Sequence, residues 1–137
     1  MEAIVFIVFL CNMFFSAAYA TEIVVNSSVP EYKVSLNKAR AIFTMRQRFW
    51  PNGKRIKVFT LADNHPHHQM FTKNNLHMFP HQLRRVWDRI VFSGIGQVPM
   101  VVSSEEEMLA KVANTPNAIG YLSSEFKNEK VRLFISQ

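Results

Sequence analysis

The sequence predicts an α/β domain in which a mixed sheet is covered by helices. Short apolar runs typical of strands alternate with segments that have helical periodicity. No linker, repeat or low-complexity tract interrupts residues 21–137, which we therefore interpret as a single domain. The 137-residue chain is 48% hydrophobic, which is enough to build one core.

Five short runs bounded by turn residues predict the strands. They span residues 22–26, 55–61, 100–102, 118–122 and 131–135. Pro51, Asn52 and Gly53 form a turn signal before the second run. Gly120, inside the fourth run, indicates a place where another backbone approaches closely.

Four helices are predicted from their start signals. Ser35 is a hydroxyl N-cap for the first, and proline at the first turn favours starts at Pro66 and Pro80. Ser104 with the following glutamates has the pattern of a capping box. In the third helix the apolar stripe predicts a buried face, formed by Leu83, Val86, Trp87, Ile90 and Val91.

The first twenty residues have the pattern of an export signal. Residues 4–15 are almost wholly apolar but too short for a membrane span, and Ala18 and Ala20 form a signal-peptidase site. We expect cleavage after Ala20 and release of the product to the periplasm. The alternative is a retained anchor helix. One feature is atypical of an export signal: Glu2 is present and no basic residue precedes the apolar run. The single cysteine, Cys11, lies in this leader, so residues 21–137 contain no disulfide or cysteine ligand.

The chain is basic, with a formal net charge of +6 that rises by one when the leader and its Glu2 are removed. A basic exported protein attracts anionic solutes, lipid headgroups or polyanions. A solvated lysine-rich surface is the alternative explanation. Export argues against a nucleic-acid partner, and no stable membrane span is expected after cleavage.

Five phrases, in this order, resemble the phosphate-binding proteins of ABC transporters, in the type 2 periplasmic-binding superfamily. They are LNKARAIF (36–43), FWPNG (49–53), WDRIVFSGIG (87–96), SEEEM (104–108) and TPNAIGY (115–121). The family has two lobes that close over an oxyanion, and the resemblance here covers the second lobe only. The resemblance therefore implies a short member that consists of one lobe.

The resemblance also implies a ligand site. In the family, a serine- and glycine-rich loop and the helix start after it hold phosphate through backbone N–H groups, which a helix N-terminus leaves unpaired. The matching segment here is 62–69, and its candidate ligand residues are Asp63, Asn64, His65, His67 and His68. In an alternative interpretation, Asp63 or Asn64 is simply the N-cap of the helix.

Two further groups of residues are candidates for the same site. Ser27 and Ser28 follow the first strand, and ligands of open α/β sheets bind beyond strand ends. A solvated turn would explain these serines equally well. Arg46 and Arg48 could supply guanidinium charge, or they could be ordinary surface arginines.

The histidines raise the possibility of a metal site, because imidazole and thioether groups suit zinc, copper or nickel. The candidate ligands are His65, His67, His68, His77 and His81, together with Met70 and Met78. A solvated histidine-rich surface is the alternative, and no cofactor is expected.

No arrangement of nucleophile and base or paired carboxylates indicates an enzyme. The leading interpretation is an exported solute-binding-like domain that recognises phosphate or a similar oxyanion, for uptake or sensing. The alternatives are an envelope adaptor that has lost the ligand, binding itself or another envelope protein, and a His/Met metal-binding protein.

Overall fold

The structure, a computed structural model, describes residues 20–30, 35–94, 96–126 and 131–133. Apart from Ala20, the predicted export signal, with Cys11, lies outside the described residues. None of the helices in these ranges combines the length and apolar character needed to cross a bilayer. The elements in chain order are β1 (Thr21–Asn26), α1 (Leu36–Phe43), β2 (Lys57–Leu61), α2 (Pro66–Asn74), α3 (Pro80–Ser93), β3 (Met100–Val102), α4 (Glu105–Asn114), β4 (Ala118–Ser123) and β5 (Val131–Leu133).

The five strands form one mixed sheet in the order β3-β2-β4-β1-β5, which confirms the predicted fold class. Strands β2, β3 and β4 are parallel, whereas β1 is antiparallel to both β4 and β5. The parallel strands end at Leu61, Val102 and Ser123, and we call this side of the sheet the carboxyl edge. The side where they begin is the amino edge. Because Thr21 pairs with Ser123, β1 starts at the carboxyl edge and ends at the amino edge.

Helices cover both faces of the sheet. On one face, Tyr121 of β4 stacks on Phe71 of α2, with ring centroids 3.9 Å apart, and Phe43 of α1 packs edge-on against Phe71. On the other face, α4 approaches β4 at Gly120, where a Cβ would lie only 2.6 Å from the sulfur of Met108. Gly120 therefore leaves room for side chains of α4. The sequence had predicted that a backbone approaches there, and this prediction was wrong.

Helix α3 confirms most of its predicted stripe. Leu83 and Trp87 are buried, and the Trp87 indole N–H donates to the Phe43 carbonyl at 2.9 Å. The prediction was wrong for Val91, which is 56% exposed beside the 90% exposed Phe92. The last turn of α3 extends past the core before Gly94 ends the helix in the left-handed region at φ 68°.

The predicted helix caps form, with one difference. The Ser35 hydroxyl accepts from the Lys38 N–H, and the Ser104 hydroxyl accepts from the Glu107 N–H. The Glu107 carboxylate, however, accepts from the N–H and hydroxyl of Ser103 instead of returning to Ser104. These two hydrogen bonds and nearby Lys111 hold the pKa of Glu107 below its usual value. The glutamate therefore makes the second bond of the capping box with Ser103, one residue before the N-cap Ser104.

Candidate functional site at the start of helix α2

Helix α2 begins at the carboxyl edge, directly after β2. Only the residues from Ala62 to His65 separate the end of β2 at Leu61 from the first helical residue, Pro66. Ligands of open α/β sheets bind beyond the carboxyl ends of parallel strands, and a helix start there presents unpaired N–H groups and a positive dipole end. The connection between β2 and α2 is therefore the position at which a ligand site is expected in this fold class.

His65 is the N-cap of α2. Its Nδ1 accepts from the N–H of His67 at 3.1 Å, while Pro66 at the first helical position has no N–H to offer. The alternative in which Asp63 or Asn64 is the cap is thus not observed. Since Nδ1 is the acceptor, the proton of a neutral His65 ring is on Nε2, where it can be donated to a ligand.

Asp63 is held by Arg84 of α3, which no local sequence pattern marks as a site residue. The Arg84 guanidinium donates from Nε to Oδ2 at 2.7 Å and from a terminal nitrogen to Oδ1 at 2.9 Å. These hydrogen bonds lower the pKa of Asp63, and the carboxylate in turn raises the pKa of Arg84. The negative charge of Asp63 is thereby balanced, which reduces its repulsion of an anion at the helix start.

His68 points into the core and not toward solvent. The Tyr121 hydroxyl accepts from the Leu61 N–H at 2.8 Å, so its own hydrogen is free to be donated to His68 Nδ1. Burial lowers the pKa of His68 against the opposing effect of Asp63, whose Oδ1 lies 3.9 Å from Nε2. Burial likewise raises the pKa of Tyr121. His68 therefore packs the helix onto the sheet and is not accessible to a ligand.

Glu105, the first residue of α4, also lies at the carboxyl edge. Its buried carboxylate accepts from the N–H of Ser123 at 2.6 Å and from the hydroxyl at 3.3 Å. His67 Nε2 lies 3.4 Å from the same carboxylate. From the sequence, Glu105 is predicted only as an acid at a helix start, because its contact with the end of β4 depends on long-range pairing.

The partly exposed polar side chains at the edge are those of His65, His67 and Arg84, and within the His67 ring the Nδ1 atom is buried. The two imidazole rings lie 5.6 Å apart, and the side chains of His67 and Arg84 are 26% and 38% exposed. Asn64 is exposed beside them in the loop. These groups can donate hydrogen bonds to an anion, and the two histidines add positive charge when they are protonated.

Ser27 and Ser28 are not part of this edge. They follow the end of β1, which lies at the amino edge because β1 runs antiparallel to β4. The Ser28 N–H donates to the Asn26 carboxamide and its hydroxyl accepts from the Asn117 N–H, both at 2.9 Å. The structure therefore does not bring these serines together with the start of α2.

The candidate metal ligands are also dispersed. Within the described residues, no three His, Cys, Asp or Glu side chains are arranged to hold a metal ion. His68 is buried, His77 lies in the turn after α2 with φ 52°, and His81 of α3 stacks on Phe79, the residue before that helix. Arg46 and Arg48 lie beyond α1, beside a separate groove.

Solved structures of phosphate transport receptors have a similar fold. An ABC-type phosphate transport receptor from Vibrio cholerae superposes with a TM-score of 0.63 at 17% identity, covering 84% of this chain and 45% of the receptor. PstS from Borrelia burgdorferi gives 0.66 at 14% identity, with coverages of 87% and 47%. A Clostridium perfringens protein solved with bound phosphate gives 0.68 at 14% identity, with coverages of 86% and 46%.

The chain therefore spans a little under half of each of these proteins, and the predicted resemblance in fold is confirmed. No family model and no curated protein sequence matches the chain. At 13–17% identity the likeness concerns the fold.

Proposed function

We propose that the chain is an exported, single-lobe solute-binding domain that recognises phosphate or a similar oxyanion at the start of α2, for uptake or sensing. The observation that carries the proposal is the position of His65, His67 and Arg84 around a helix start at the carboxyl edge. The exported form would be residues 21–137, released to the periplasm after cleavage following Ala20.

The donors differ from those that the sequence resemblance implies. Imidazole and guanidinium groups take the place of hydroxyls and a glycine N–H, and they bring charge that hydroxyls lack. Asp63 is already balanced by Arg84, while Glu105 can accept a hydrogen bond from a protonated phosphate oxygen.

Affinity should be low, because one lobe leaves the anion open to water. Each solvent-exposed hydrogen bond gains about 0.5–1.5 kcal/mol. A handful of such bonds gives about −4 kcal/mol, which corresponds to a millimolar Kd. A second chain that closed over the edge would raise the affinity.

The second candidate is an envelope adaptor that has lost the ligand. It is favoured by two features of the helix start: the His67 N–H is already taken by His65, and the Glu105 carboxylate lies 3.4 Å from His67. Each feature uses a donor that an anion would need. The two functions differ in whether phosphate stabilises the fold through these histidines.

Thermal unfolding in phosphate, compared with chloride at equal ionic strength, tests the proposal. Phosphate at fifty times a millimolar Kd should add about 2 kcal/mol of stability. The site variant His65→Asn/His67→Gln keeps a capping oxygen on the helix but removes both imidazoles. Its phosphate-specific gain should fall below about 0.5 kcal/mol, against the roughly 2 kcal/mol of the parent.

The matched control is His77→Asn/His81→Gln, which makes the same replacements at exposed positions away from the site. Asparagine also tolerates the positive φ of His77. The control should keep the full gain, and the comparison removes the general stabilising effect of phosphate as a salt. An equal gain in parent, site variant and control would contradict the site and favour the adaptor.

A further inference from the structure

A second surface, away from α2, concentrates positive charge. A groove of about 750 Å³ lies between the end of α1 and helix α3, and four arginines line it: Arg40, Arg46, Arg48 and Arg89. A cleft of about 430 Å³ shares Arg48 with the groove and adds Arg55 and Lys57. We call the groove and the cleft together the basic groove. It reaches the amino edge at Lys57, so it is distinct from the candidate oxyanion site.

No acidic residue lines either part of the basic groove. Among the described residues, no carboxylate lies within 4 Å of the charged groups of these six cations, whereas Arg84 on the same helix α3 binds Asp63. Arg48 is held in place: its Nε donates to the Met45 carbonyl, and its guanidinium packs against Gly96, where a Cβ would lie 2.9 Å away. Like charges gathered without counter-charges favour binding of an anion.

The same surface is also apolar. Met45, Met78, Val86 and Ile90 line the groove between the arginines. Phe92, three residues after Arg89 and therefore its neighbour on the surface of α3, is 90% exposed. A free inorganic anion would use the guanidinium groups but would leave this apolar surface in water.

We propose that the basic groove docks the protein onto the headgroup layer of an anionic phospholipid membrane. Guanidinium groups bind lipid phosphates through paired N–H donors, and Phe92 enters the boundary between headgroups and acyl chains. The arginines and the exposed phenylalanine would then both contact the membrane. Attachment is peripheral and weakens with salt, because it depends on screened charges.

An acidic protein segment is the competing occupant. It would satisfy the arginines, but it would not need an almost fully exposed phenylalanine at the end of a helix beside them. The membrane accounts for both observations, and the peptide becomes an outcome of the test.

Flotation of the purified protein with vesicles tests the proposal. Vesicles of phosphatidylcholine containing about one third phosphatidylglycerol, at about 0.1 M salt, are compared with vesicles of phosphatidylcholine alone. The protein should float with the anionic vesicles only. Arg46→Gln/Arg89→Gln should weaken binding about 30-fold, since each surface cation contributes about 1 kcal/mol. Both side chains are exposed, so the fold should tolerate their replacement.

Lys73→Gln/Lys111→Gln is the matched control, because it removes the same charge from exposed positions on α2 and α4. It should weaken binding less than about threefold, since neither lysine lines the groove or the cleft. Phe92→Ala should weaken binding about tenfold without changing the charge.

Three results would overturn the proposal. The first is no flotation of the parent with anionic vesicles, and the second is equal weakening by the lysine control and the arginine pair. The third is binding of poly-glutamate that depends on Arg46 and Arg89 while vesicles do not bind. That last result would assign the basic groove to an acidic protein partner.

Discussion

Replacing Trp87 with alanine should remove a large part of the stability of the domain. The indole is 2% exposed, its N–H donates to the Phe43 carbonyl at 2.9 Å, and the Arg84 guanidinium lies 5.2 Å from its ring centroid. Truncation of a buried tryptophan costs about 3–5 kcal/mol, from lost burial and the cavity that remains. The loss is large because domains of this size have a total stability of about 5–15 kcal/mol.

A second variant separates the contribution of the indole N–H from that of the buried ring, and a third is a control on the same helix. Trp87→Phe keeps most of the ring volume but loses the N–H, so the Phe43 carbonyl loses its indole donor at a cost of about 1–3 kcal/mol. Phe92→Ala, on the same helix, removes an exposed ring and should change stability by less than about 0.5 kcal/mol. Urea unfolding followed by circular dichroism measures all three free energies of unfolding. If Trp87→Ala lies within about 0.5 kcal/mol of the parent, α3 does not pack on α1 as described.

Four other outcomes are expected. Because burial lowers the pKa of His68, the unfolded chain takes up a proton below about pH 6.5 that the folded chain does not. Stability should therefore fall as pH drops below that value, by up to about 1.4 kcal/mol per pH unit, and an unchanged slope in His68→Gln would contradict this origin. The lowered pKa of Asp63 contributes stability above the unfolded value near 3.8 that is lost as pH falls through the folded pKa, so Asp63→Asn should flatten that acid limb in urea titrations. The half-exposed pair with Arg84 should be worth only about 1 kcal/mol at neutral pH. Gly120→Ala should cost about 1–3 kcal/mol by crowding α4, and an unchanged melting temperature would refute that contact. Mass spectrometry of the exported protein should find an N-terminus at Thr21, and an intact Met1 in the membrane fraction would refute cleavage after Ala20.

The order of strands and helices could be predicted from sequence because each element has local signals. Ser35 and Ser104 accept the expected N–H groups, and Pro66 and Pro80 are the first residues of their helices. Gly53 has φ 82°, as its turn requires. Such features are decided by a few neighbouring residues, so the local sequence is enough to predict them.

The composition of the candidate site could be predicted only in part, because it depends on strand direction and helix rotation. Whether Ser28 shares an edge with His65 is decided by the antiparallel pairing of β1 with β4, which no local pattern indicates. His67 and His68 are adjacent in sequence, yet one is partly exposed and the other buried, because successive helical residues point about 100° apart. Helix α2 is too polar for periodicity to have identified its buried side.

A phosphate titration followed by amide NMR, at pH 7.5 and at pH 6, is the most direct test of the proposed oxyanion site. We expect the largest shift changes at the amides of His65, His67 and Ser123, which surround the carboxyl edge. The fitted Kd should be near the millimolar range, and the same amides should respond at both pH values. Shift changes centred on the basic groove, or none at high millimolar phosphate at either pH, would contradict an oxyanion site at the start of α2.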